Sequence, residues 1–538
     1  MVHPKDLAFP WRRSPEHCAA RTAEHPVVII GAGPVGLAAA LDLAAKGHRS
    51  IVLDQRGTLS GGSRAICWSK RTLEVMDRVG VAQALLAKGI TWSKGKVFCD
   101  RRLLYEFDLL PEAGYRMPAF VNLQQYYFEH HCVEAAVLSG RVDLRWHEQL
   151  TAIEPRSDGV VLSIATPQGS YRLFAHWLIA ADGAHSTVRS QLRLAFEGRT
   201  FADQFLICDV KMHLERPLER WFWFDPPFNR GRSALLHRQA DDVWRLDFQI
   251  GDEADRDATV RPENVAKRVR GMLGDSAAFQ FEWISLYRFQ SRRLTRFRHG
   301  RVLFAGDAAH QMSPFGARGG NSGVQDADNL GWKLDLVLRG IAPEAILDSY
   351  DAERRLAADE NLLNTTRSTD FIAPKGAISH AFRDATLALA AHEPFARGLV
   401  NSGRLSVATA YAPSVLNGAD EFGAGEASTV RPGSAALDAP LDAGSWLLNR
   451  IGGDLAGIYF TRAAEPPPAI ARLHAELARG DPPVRGFTVA HAAACARYGA
   501  QQRPAYYLFR PDQHVAARWR EVTLEGVTRA AARAIGRP

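Results

Sequence analysis

The sequence predicts an α/β protein that combines a parallel-sheet domain of the Rossmann type, a β-rich insertion and a separate C-terminal unit. A β-branched run at 27–30, a glycine-rich turn and an Ala/Leu-rich helix begin a βαβ unit whose second strand ends at Asp54. Short strands rich in Trp and Phe then occupy about 190–286, before another buried strand and a glycine-rich loop follow at 301–323. The Gly-, Ala-, Ser- and Pro-rich stretch 412–440 precedes a last set of strands and helices.

Composition limits the class of protein. The chain is long enough for two or three domains, and its 46% hydrophobic and 23% charged residues are typical of a globular protein. The net charge of +7 is mild and unclustered, which argues against a nucleic-acid partner and favours anionic small molecules. No run reaches the roughly 20 apolar residues of a membrane span. The six cysteines include no CxxC pair, so we expect reduced thiols, a cytoplasmic location and no metal site.

Changes of pattern along the chain place the domain boundaries. We predict a loosely ordered N-terminal arm, 1–25, and a discontinuous nucleotide-binding domain, 26–190 and 287–411, with helices over about 69–88 and 321–339. The β-rich domain, 191–286, is expected to hold the substrate. A linker, 412–429, leads to the C-terminal unit, 430–538. The GAGE tetrapeptide at 423–426 lacks a third glycine and a preceding strand, so it is not a second dinucleotide fingerprint.

The first motif with chemical meaning is the turn Gly31-x-Gly33-Pro34-x-Gly36, between the first strand and its helix. Glycines at these positions let the backbone approach a pyrophosphate at the helix N-terminus, where N–H groups and the helix dipole favour negative charge. Asp54, at the end of the second strand, is placed to accept hydrogen bonds from ribose hydroxyls. This motif predicts a dinucleotide site, but it does not distinguish NAD from FAD.

The second motif lies at 301–334. Gly306 and Asp307 follow a strand, so the carboxylate is placed where α/β sheets bind ligands. Beyond them, glycines leave room for a planar ring, and the chain enters a helix whose N–H groups point at that ring. The residues that we expect to contact the ring or its edge are Pro314, Gly316, Gly319, Gly320 and Asn321. Because such groups stabilise the negative edge of a reduced flavin, this motif favours FAD.

The third motif, Asp182, Gly183 and Arg189, again follows a strand and suits a site beside a pyrophosphate. In this order, the three motifs resemble those of the single-component FAD-dependent aromatic hydroxylases, the family of the p-hydroxybenzoate, phenol and 3-(3-hydroxyphenyl)propionate hydroxylases. The resemblance covers about residues 25–400 and implies a GR2-like FAD-binding fold with the ribityl chain of FAD on Asp307. It also implies FAD contacts from Arg64 and Gln125. Because the chain has one Rossmann fingerprint, NADH or NADPH is expected to bind only transiently.

The C-terminal unit resembles the thioredoxin-like domain of phenol hydroxylase and its relatives, through the segments 431–433 and 508–516. That domain often helps dimerisation, so the resemblance implies a homodimer. A dithiol exchange needs two thiols, and Cys495 has no partner cysteine nearby in the sequence. We therefore expect a redox-inert unit.

The family's chemistry implies a monooxygenase. NAD(P)H would reduce FAD, O2 would add at flavin C4a, and an electron-rich aromatic substrate would take the distal oxygen of the hydroperoxide. Tyr287 and Pro314 are the catalytic candidates, since Tyr287 matches a family position whose tyrosine touches a substrate hydroxyl. The acid that phenol hydroxylase places shortly before the RTLE segment is absent, because Ile66 or Cys67 stands there. Further pocket candidates are His237, Arg238, Arg245 and Gln249.

Other functions share this architecture and stay open at this point. The same motifs are compatible with a tailoring oxygenase that acts on a polyketide or antibiotic. They are also compatible with an FAD-dependent reductase or dehydrogenase that uses no O2, and with a non-catalytic FAD-binding interaction protein.

Overall fold

The computed structural model of the chain describes residues 3–18, 22–62, 64–252, 254–400, 407–423, 430–441, 444–463 and 465–537. Residues 424–429, which include most of the GAGE tetrapeptide and the end of the predicted linker, lie outside these ranges. The strands β1 to β23 are, in chain order, Ala23–Ile30, Ser50–Asp54, Cys67–Ser69, Ile90–Trp92, Lys94–Cys99, Arg102–Asp108, Phe120–Asn122, Val142–Trp146, Gln149–Pro155, Val160–Thr166, Gly169–Ala180, Phe196–Lys211, Arg220–Phe224, Ser233–Arg238, Val243–Ile250, Gln280–Leu294, Arg298–His299, Val302–Phe304, His310–Gln311, Ala456–Phe460, Arg485–Val489, Ala505–Phe509 and Val515–Trp519. The helices α1 to α15 are Pro34–Ala45, Lys70–Arg78, Ala82–Lys88, Gln125–Ser139, Thr187–Gln191, Arg256–Val260, Pro262–Leu273, Gly319–Leu338, Ile346–Ile372, Ala377–Ala390, Pro394–Val400, Leu447–Arg450, Pro468–Ala478, Ala492–Arg497 and Leu524–Ala534.

The first sheet has the order β17–β18–β11–β1–β2–β8, and β10 and β9 extend it from β11. Strand β1 pairs in parallel with β11 and with β2, so the predicted βαβ unit is confirmed. Its buried residues are β-branched and apolar, as expected for a strand covered on both faces. The helix predicted over 69–88 is two helices, α2 and α3, because Gly80 has a φ of +79° and interrupts it.

The second sheet has the order β19–β16–β12–β15–β14–β13–β5–β6. It corrects one predicted boundary, since β5 and β6 lie within 26–190 but belong to this sheet rather than to the first. The physical reason is a parallel pairing of β13 with β5, which brings Phe222 opposite Val97. One face of the sheet packs under α6 and α7 around the buried residues Leu206 and Trp244. The opposite face carries His237, whose Nδ1 atom lies 3.8 Å from the thiol of Cys67 on β3.

The C-terminal unit contains a four-stranded sheet of order β21–β20–β22–β23. Strand β20 is parallel to β21 and antiparallel to β22, and the elements follow in the order β20, α13, β21, α14, β22, β23, α15. This order is compatible with the predicted thioredoxin-like unit, which stays a prediction. The thiol of Cys495 is buried and donates to the carbonyl oxygen of Thr461 at 3.2 Å.

The arm and the linker are packed more tightly than the sequence predicts. Phe9 stacks on Trp146 with ring centroids 4.4 Å apart, and Glu16 pairs with Arg145 at 3.0 Å, so the described part of the arm lies against the first sheet. The sequence suggested a loose segment because the apolar stretch of the arm, residues 7–11, is short. In the linker region, the backbone N–H of Gly418 donates to Ala516, and Asp420 pairs with Arg518.

No helix in the described part of the chain is both long enough and apolar enough to cross a lipid bilayer. The longest, α9, carries charged side chains along its length, and several of them form the buried contacts described below.

Candidate active site

The turn between β1 and α1 is closed on its sheet side and open where the helix begins. A Cβ atom on Gly36 would lie 1.9 Å from the carbonyl oxygen of Gly31, and one on Gly31 would lie 2.4 Å from that of Ala181. On Gly33, by contrast, a Cβ would meet no atom within 4 Å. Helix α1 begins at Pro34 without a side-chain cap. Its first backbone N–H groups therefore face open space, which suits a phosphate.

Asp54 lies at the end of β2 and fixes this turn. Its Oδ2 atom accepts a hydrogen bond of 2.8 Å from the backbone N–H of Ala32, and its Oδ1 atom accepts one of 2.8 Å from the N–H of Arg56. The guanidinium of Arg56 also pairs with the carboxylate at 2.9 Å. The structure therefore gives Asp54 a positioning role that the sequence did not reveal, and its contact with a ribose stays a prediction.

Gln125 and Glu129 support the loop that carries Arg64. The amide oxygen of Gln125 accepts from the backbone N–H of Ala65 at 3.1 Å, and its nitrogen donates to the hydroxyl of Ser60 at 3.0 Å. The fully buried Glu129 accepts from the N–H of Ser60 at 2.7 Å. Arg64 itself is exposed. These bonds show that Gln125 and Glu129, four residues apart on α4, shape the loop together.

Asp182 and Arg189 tie the third motif to the second. The Oδ2 atom of Asp182 accepts from the N–H of Val188 at 3.0 Å, whereas Oδ1 is buried and has no hydrogen-bond partner among the described residues. Arg189 donates to the carbonyl oxygens of Ala184 and Ala308, at 2.7 and 3.0 Å. The arginine thus clamps two turns together, and the open oxygen of Asp182 is the atom of this motif that suits a ligand hydroxyl.

Asp307 is exposed to the cleft between these turns. The walls of the cleft remove water from around the carboxylate of Asp307, and this desolvation raises its pKa. The positive charges of His310, Arg64 and Arg189 oppose the shift. The structure therefore brings together residues of all three motifs, as the sequence predicted.

A buried ionic network holds the Gly306–Asp307 turn from behind. Asp326, on α8, accepts from the N–H of Gly306 at 2.8 Å, from His310 Nε2 at 2.7 Å and from Arg354 Nε at 2.6 Å. Burial alone would raise the pKa of Asp326, but the charges and hydrogen bonds of its partners outweigh burial and lower it. This network could not be predicted from the sequence, because its members come from α8, from α9 and from the segment 306–310.

The loop before α8 combines strained backbone with free N–H groups. Gly316 and Ala317 have φ values of +90° and +53°, and Pro314 is exposed. Helix α8 starts without a side-chain cap, and a Cβ on Gly319 would meet no atom within 4 Å, whereas one on Gly320 would lie 3.2 Å from Ala65. The loop can therefore present N–H groups to the edge of a planar ring.

The side chain of Asn321 does not face that opening. Its oxygen accepts from the N–H of Ser69 at 2.8 Å and from the hydroxyl of Thr72 at 2.7 Å. Its nitrogen donates to the carbonyl oxygen of Cys67 at 2.8 Å and to that of Ala317. Asn321 is thus committed to joining α8 to β3, and only its backbone N–H is left for a cofactor.

A largely aromatic cavity lies between the second sheet, the α8 loop and the helices α9 and α11. It is lined by Val97, Phe107, Arg220, Phe222, Phe224, Phe315, Gly316, Ser368, Ile372 and Val400. Gly316 belongs to the loop expected to contact a flavin ring, so the cavity reaches that loop directly. Such a cavity, apolar with a few polar groups, is what a small aromatic ligand requires.

Three of the predicted pocket residues contact neighbouring side chains and are not among the residues that line the cavity. Tyr287 is half-buried beside the cavity, where it packs 6.0 Å from Trp283, and it is not among the lining residues. Arg245 is paired with Asp209 at 2.8 Å. Gln249 donates to Asp203 at 3.3 Å. Their residue types suggested ligand binding, but cross-strand partners use them.

Arg220 and Asp247 are functional candidates that sequence reasoning missed. The alternation in β15 could have revealed Asp247, since Trp244, Leu246 and Phe248 occupy its apolar face. The polar face of the strand is therefore the one that carries Asp247.

Comparison with known proteins places the chain in a family. Residues 24–365 match the family described as FAD binding domain. A 3-(3-hydroxy-phenyl)propionate/3-hydroxycinnamic acid hydroxylase of Mycolicibacterium smegmatis is 31% identical over 365 residues, which are 66% of this chain and 63% of that relative. The matched region thus spans less than two thirds of the relative's length. A 6-methylpretetramide 4-monooxygenase of Streptomyces rimosus is 32% identical over 427 residues, 76% of this chain and 73% of the relative.

A solved structure extends the likeness to the C-terminal unit. The anhydrotetracycline hydroxylase OxyS from Streptomyces rimosus is 27% identical and superposes with a TM-score of 0.70. The superposition covers 96% of this chain and 100% of that one. The likeness is therefore not confined to residues 24–365.

Proposed function

Because this chain belongs to the FAD binding domain family, we propose that it is an FAD-dependent, NAD(P)H-consuming monooxygenase that hydroxylates a phenolic or other electron-rich aromatic compound. The observation that carries the proposal is the cavity between the second sheet and the α8 loop. Phenylalanine side chains line it together with Gly316, which belongs to the loop beside the predicted flavin site. An aromatic substrate in this cavity would lie next to the redox centre.

The residues present fit FAD. The open space at Gly33 and at Gly183 would admit the pyrophosphate, and a side chain at either position would occupy that space. The Oδ1 atom of Asp182 has no partner among the described residues, so it could accept a hydrogen bond from the cofactor. The turn 31–36 and Asp54 would hold the ADP part, Asp307 the ribityl chain and the loop 314–321 the ring. When bound and reduced, FAD supplies activated oxygen from O2.

The chain's own residues supply the surroundings that this chemistry needs. Phe222, Phe224 and Phe315 would exclude water and hold an aromatic ring by stacking or edge contacts. Arg220 would orient a polar or anionic substituent of the ring at the same cavity. Positioning a ring carbon in this way replaces an improbable encounter by a fixed geometry.

A second substrate class is a polycyclic polyketide. It is favoured by the 32% identity to a 6-methylpretetramide 4-monooxygenase over 76% of this chain, and by the full-length likeness to an anhydrotetracycline hydroxylase. The 3-(3-hydroxy-phenyl)propionate hydroxylase favours a simple phenolic acid. Both classes offer an electron-rich ring with a hydroxyl group, so they share one mechanism.

We further propose a cytoplasmic protein whose thioredoxin-like C-terminal unit helps two copies to associate. Support for the location comes from the free cysteines of the described chain, Cys67, Cys99, Cys132, Cys208 and Cys495. Light scattering of the purified FAD-loaded protein tests the dimer, which predicts twice the 59.3 kDa of one chain.

The deciding experiment follows NAD(P)H oxidation and O2 uptake by the FAD-loaded protein with simple phenols, aromatic acids and polycyclic phenols. We expect one class to stimulate both, and 18O2 to label the product. Turnover without O2 would instead identify a dehydrogenase or reductase. A bound flavin that NAD(P)H reduces with none of these compounds would favour a non-catalytic FAD-binding protein.

A further inference from the structure

One face of the second sheet carries a row of charged side chains toward the cavity. The strand pairing places His237 opposite Arg245, and Leu235 opposite Asp247. Because directly opposed residues share a face, His237, Arg245 and Asp247 all point to the same side. Leu235 also lies opposite Phe222, and Phe222 lines the cavity. Asp247 therefore belongs to the cross-strand row that continues into the cavity wall.

Most charges on this face are already paired. Arg245 donates to both oxygens of Asp209, at 2.8 and 2.9 Å, and Gln239 adds a bond of 3.0 Å to the same carboxylate. Two charged groups are left. Arg220 lines the cavity and makes no hydrogen bond or ion pair with any described residue. The Oδ1 atom of Asp247 is buried and also has no partner among the described residues.

The groups that contact His237, on the same face of the sheet as Asp247, are uncharged. The thiol of Cys67, on β3, lies 3.8 Å from Nδ1 of His237, and the amide nitrogen of Asn122 lies 3.4 Å from it. The Nε2 atom of His237 is buried without a described partner. Burial raises the pKa of Cys67 to about 11 and holds the pKa of His237 well below its usual range, so both are uncharged at neutral pH.

The charges that act on Asp247 come from β12, from β13 and from its own strand β15. Burial raises the pKa of Asp247 to about 6, Asp209 on β12 adds to the shift, and Arg245 on its own strand and Arg220 on β13 oppose it. At neutral pH the carboxyl is therefore ionised, but it accepts a proton more readily than an ordinary aspartate. An unpartnered oxygen with this property, on the same face of the sheet as the unpartnered guanidinium of Arg220, suits a group that must lose a proton.

We propose that Asp247 accepts the proton of the ring hydroxyl of the aromatic substrate and that Arg220 holds the oxyanion. The inference rests on the proposed function. The hydroxyl O–H bond breaks, the proton goes to Asp247 Oδ1, and the electron pair stays on the substrate oxygen, whose negative charge Arg220 offsets. The ionised ring is more electron-rich, so it attacks the activated oxygen faster. Substrates of this enzyme therefore carry a hydroxyl group on the ring that is attacked.

The test compares Asp247→Asn and Arg220→Gln with the wild type, with Asp242→Asn as the control. Asp242 lies in the turn before β15 with a φ of +56°, a conformation that asparagine tolerates, and its carboxylate pairs with Arg238 and with no other side chain of the described residues. The probe is 4-nitrophenol, whose ionised form absorbs visible light, added to the oxidised FAD-loaded protein without NAD(P)H. This readout needs no turnover.

In the wild type and in Asp242→Asn, we expect bound 4-nitrophenol to be ionised at a lower pH than free 4-nitrophenol. Asp247→Asn should abolish this shift and lower kcat/KM for the best phenol by about 100-fold or more. Arg220→Gln should weaken binding of the ionised probe by about 10-fold. If Arg220 instead holds a carboxylate, its variant will lose benzoates but keep the ionisation of phenols, which overturns its assigned role.

Two further results distinguish a failure of this inference from a failure of the proposed function. An active wild type with an unchanged Asp247→Asn overturns the inference alone, whereas a wild type that hydroxylates no phenol overturns the proposed function and the inference with it. If Asp247→Asn fails to load FAD, the wild-type pH profile decides the matter. Its kcat/KM must fall as the pH drops through about 6, and a profile that is flat there contradicts Asp247 as the acceptor.

Discussion

The Nε2 atom of His310 lies 2.7 Å from the Oδ2 atom of Asp326, and both side chains are fully buried. The same carboxylate accepts from the backbone of Gly306 and from Arg354, so it holds the turn that presents Asp307. The exposed acid in the cleft therefore depends on a second acid that no ligand can reach.

Replacing the buried carboxylate of Asp326 should lower the free energy of unfolding. Asp326→Asn leaves His310 and Arg354 without a charged partner in the interior, and breaking a buried pair costs about 3–5 kcal/mol. Urea unfolding should show a loss of that order. Asp275→Asn, at an exposed position in a turn, serves as the control and should change the free energy of unfolding by less than about 0.5 kcal/mol.

Asp307, the exposed acid of the cleft, should affect FAD binding rather than the stability of the fold. We expect Asp307→Ala to purify largely free of flavin, because one charge-assisted contact corresponds to about 10-fold in affinity or more. The ratio of visible flavin absorbance to protein absorbance measures this. A variant that is fully loaded with FAD and active would contradict the assignment of Asp307.

Two glycines of the first turn should respond in opposite ways to the same added methyl group. In Gly36→Ala the new Cβ would lie 1.9 Å from the carbonyl oxygen of Gly31, so the helix must move, at a cost of about 1–3 kcal/mol or more. In Gly33→Ala the methyl would enter open space, so the apoprotein should keep its stability while its FAD affinity falls by about 10-fold. Apoprotein melting and FAD titration distinguish the two outcomes. Equal stability of both apoproteins would be evidence against the geometry of the turn.

The contact between the C-terminal unit and α9 should be worth much more than a surface pair. Arg510 donates to both oxygens of Glu353, at 2.6 and 2.9 Å, in a fully buried position. Arg510→Met takes a buried cation from Glu353, which keeps its pair with Lys333, and from Asp512, so it should cost about 3–5 kcal/mol. Arg529→Met removes an exposed pair with Glu525 and should cost less than about 0.5 kcal/mol. Similar losses in both variants, measured by urea unfolding, would show that the buried contact is not a key junction.

Asp247 should make the protein less stable as the pH rises. Its pKa of about 6 in the folded chain exceeds the ordinary 3.8, so the folded state binds more protons than the unfolded state between those values. The free energy of unfolding should therefore fall as the pH rises from about 4 to 6. Asp247→Asn cannot ionise, so it should gain stability relative to the wild type at pH 8 but not at pH 4. The opposite order of the two melts would show that the carboxylate is a structural ion.

Local signals in the sequence were enough to predict that the three motifs lie at one edge of the first sheet. Gly31, Asp182 and Asp307 each follow a strand of one parallel sheet, so the carboxyl ends of neighbouring strands had to bring them together. These features depend on periodicity and turn residues within short windows.

Features that depend on distant pairing could not be predicted. Strand β5 joins the second sheet because it pairs with β13, more than a hundred residues later, and no short window records that partner. Asp247 was overlooked because the alternation of β15 shows two faces without showing which one borders the cavity. Tyr287, whose position along the chain matched the family, packs against the cluster that contains Phe224 and Phe315, and its catalytic role stays a prediction.

The contact of Tyr411 has a practical meaning for protein engineering. Its hydroxyl bonds to Arg354 at 2.7 Å, and its ring stacks 4.7 Å from that of His514. One side chain thus joins the support of the Gly306 turn to the last sheet of the molecule. A chimera that exchanges the C-terminal unit with that of a relative should therefore be cut before residue 411, so that Tyr411 and the segment 510–514 are inherited together.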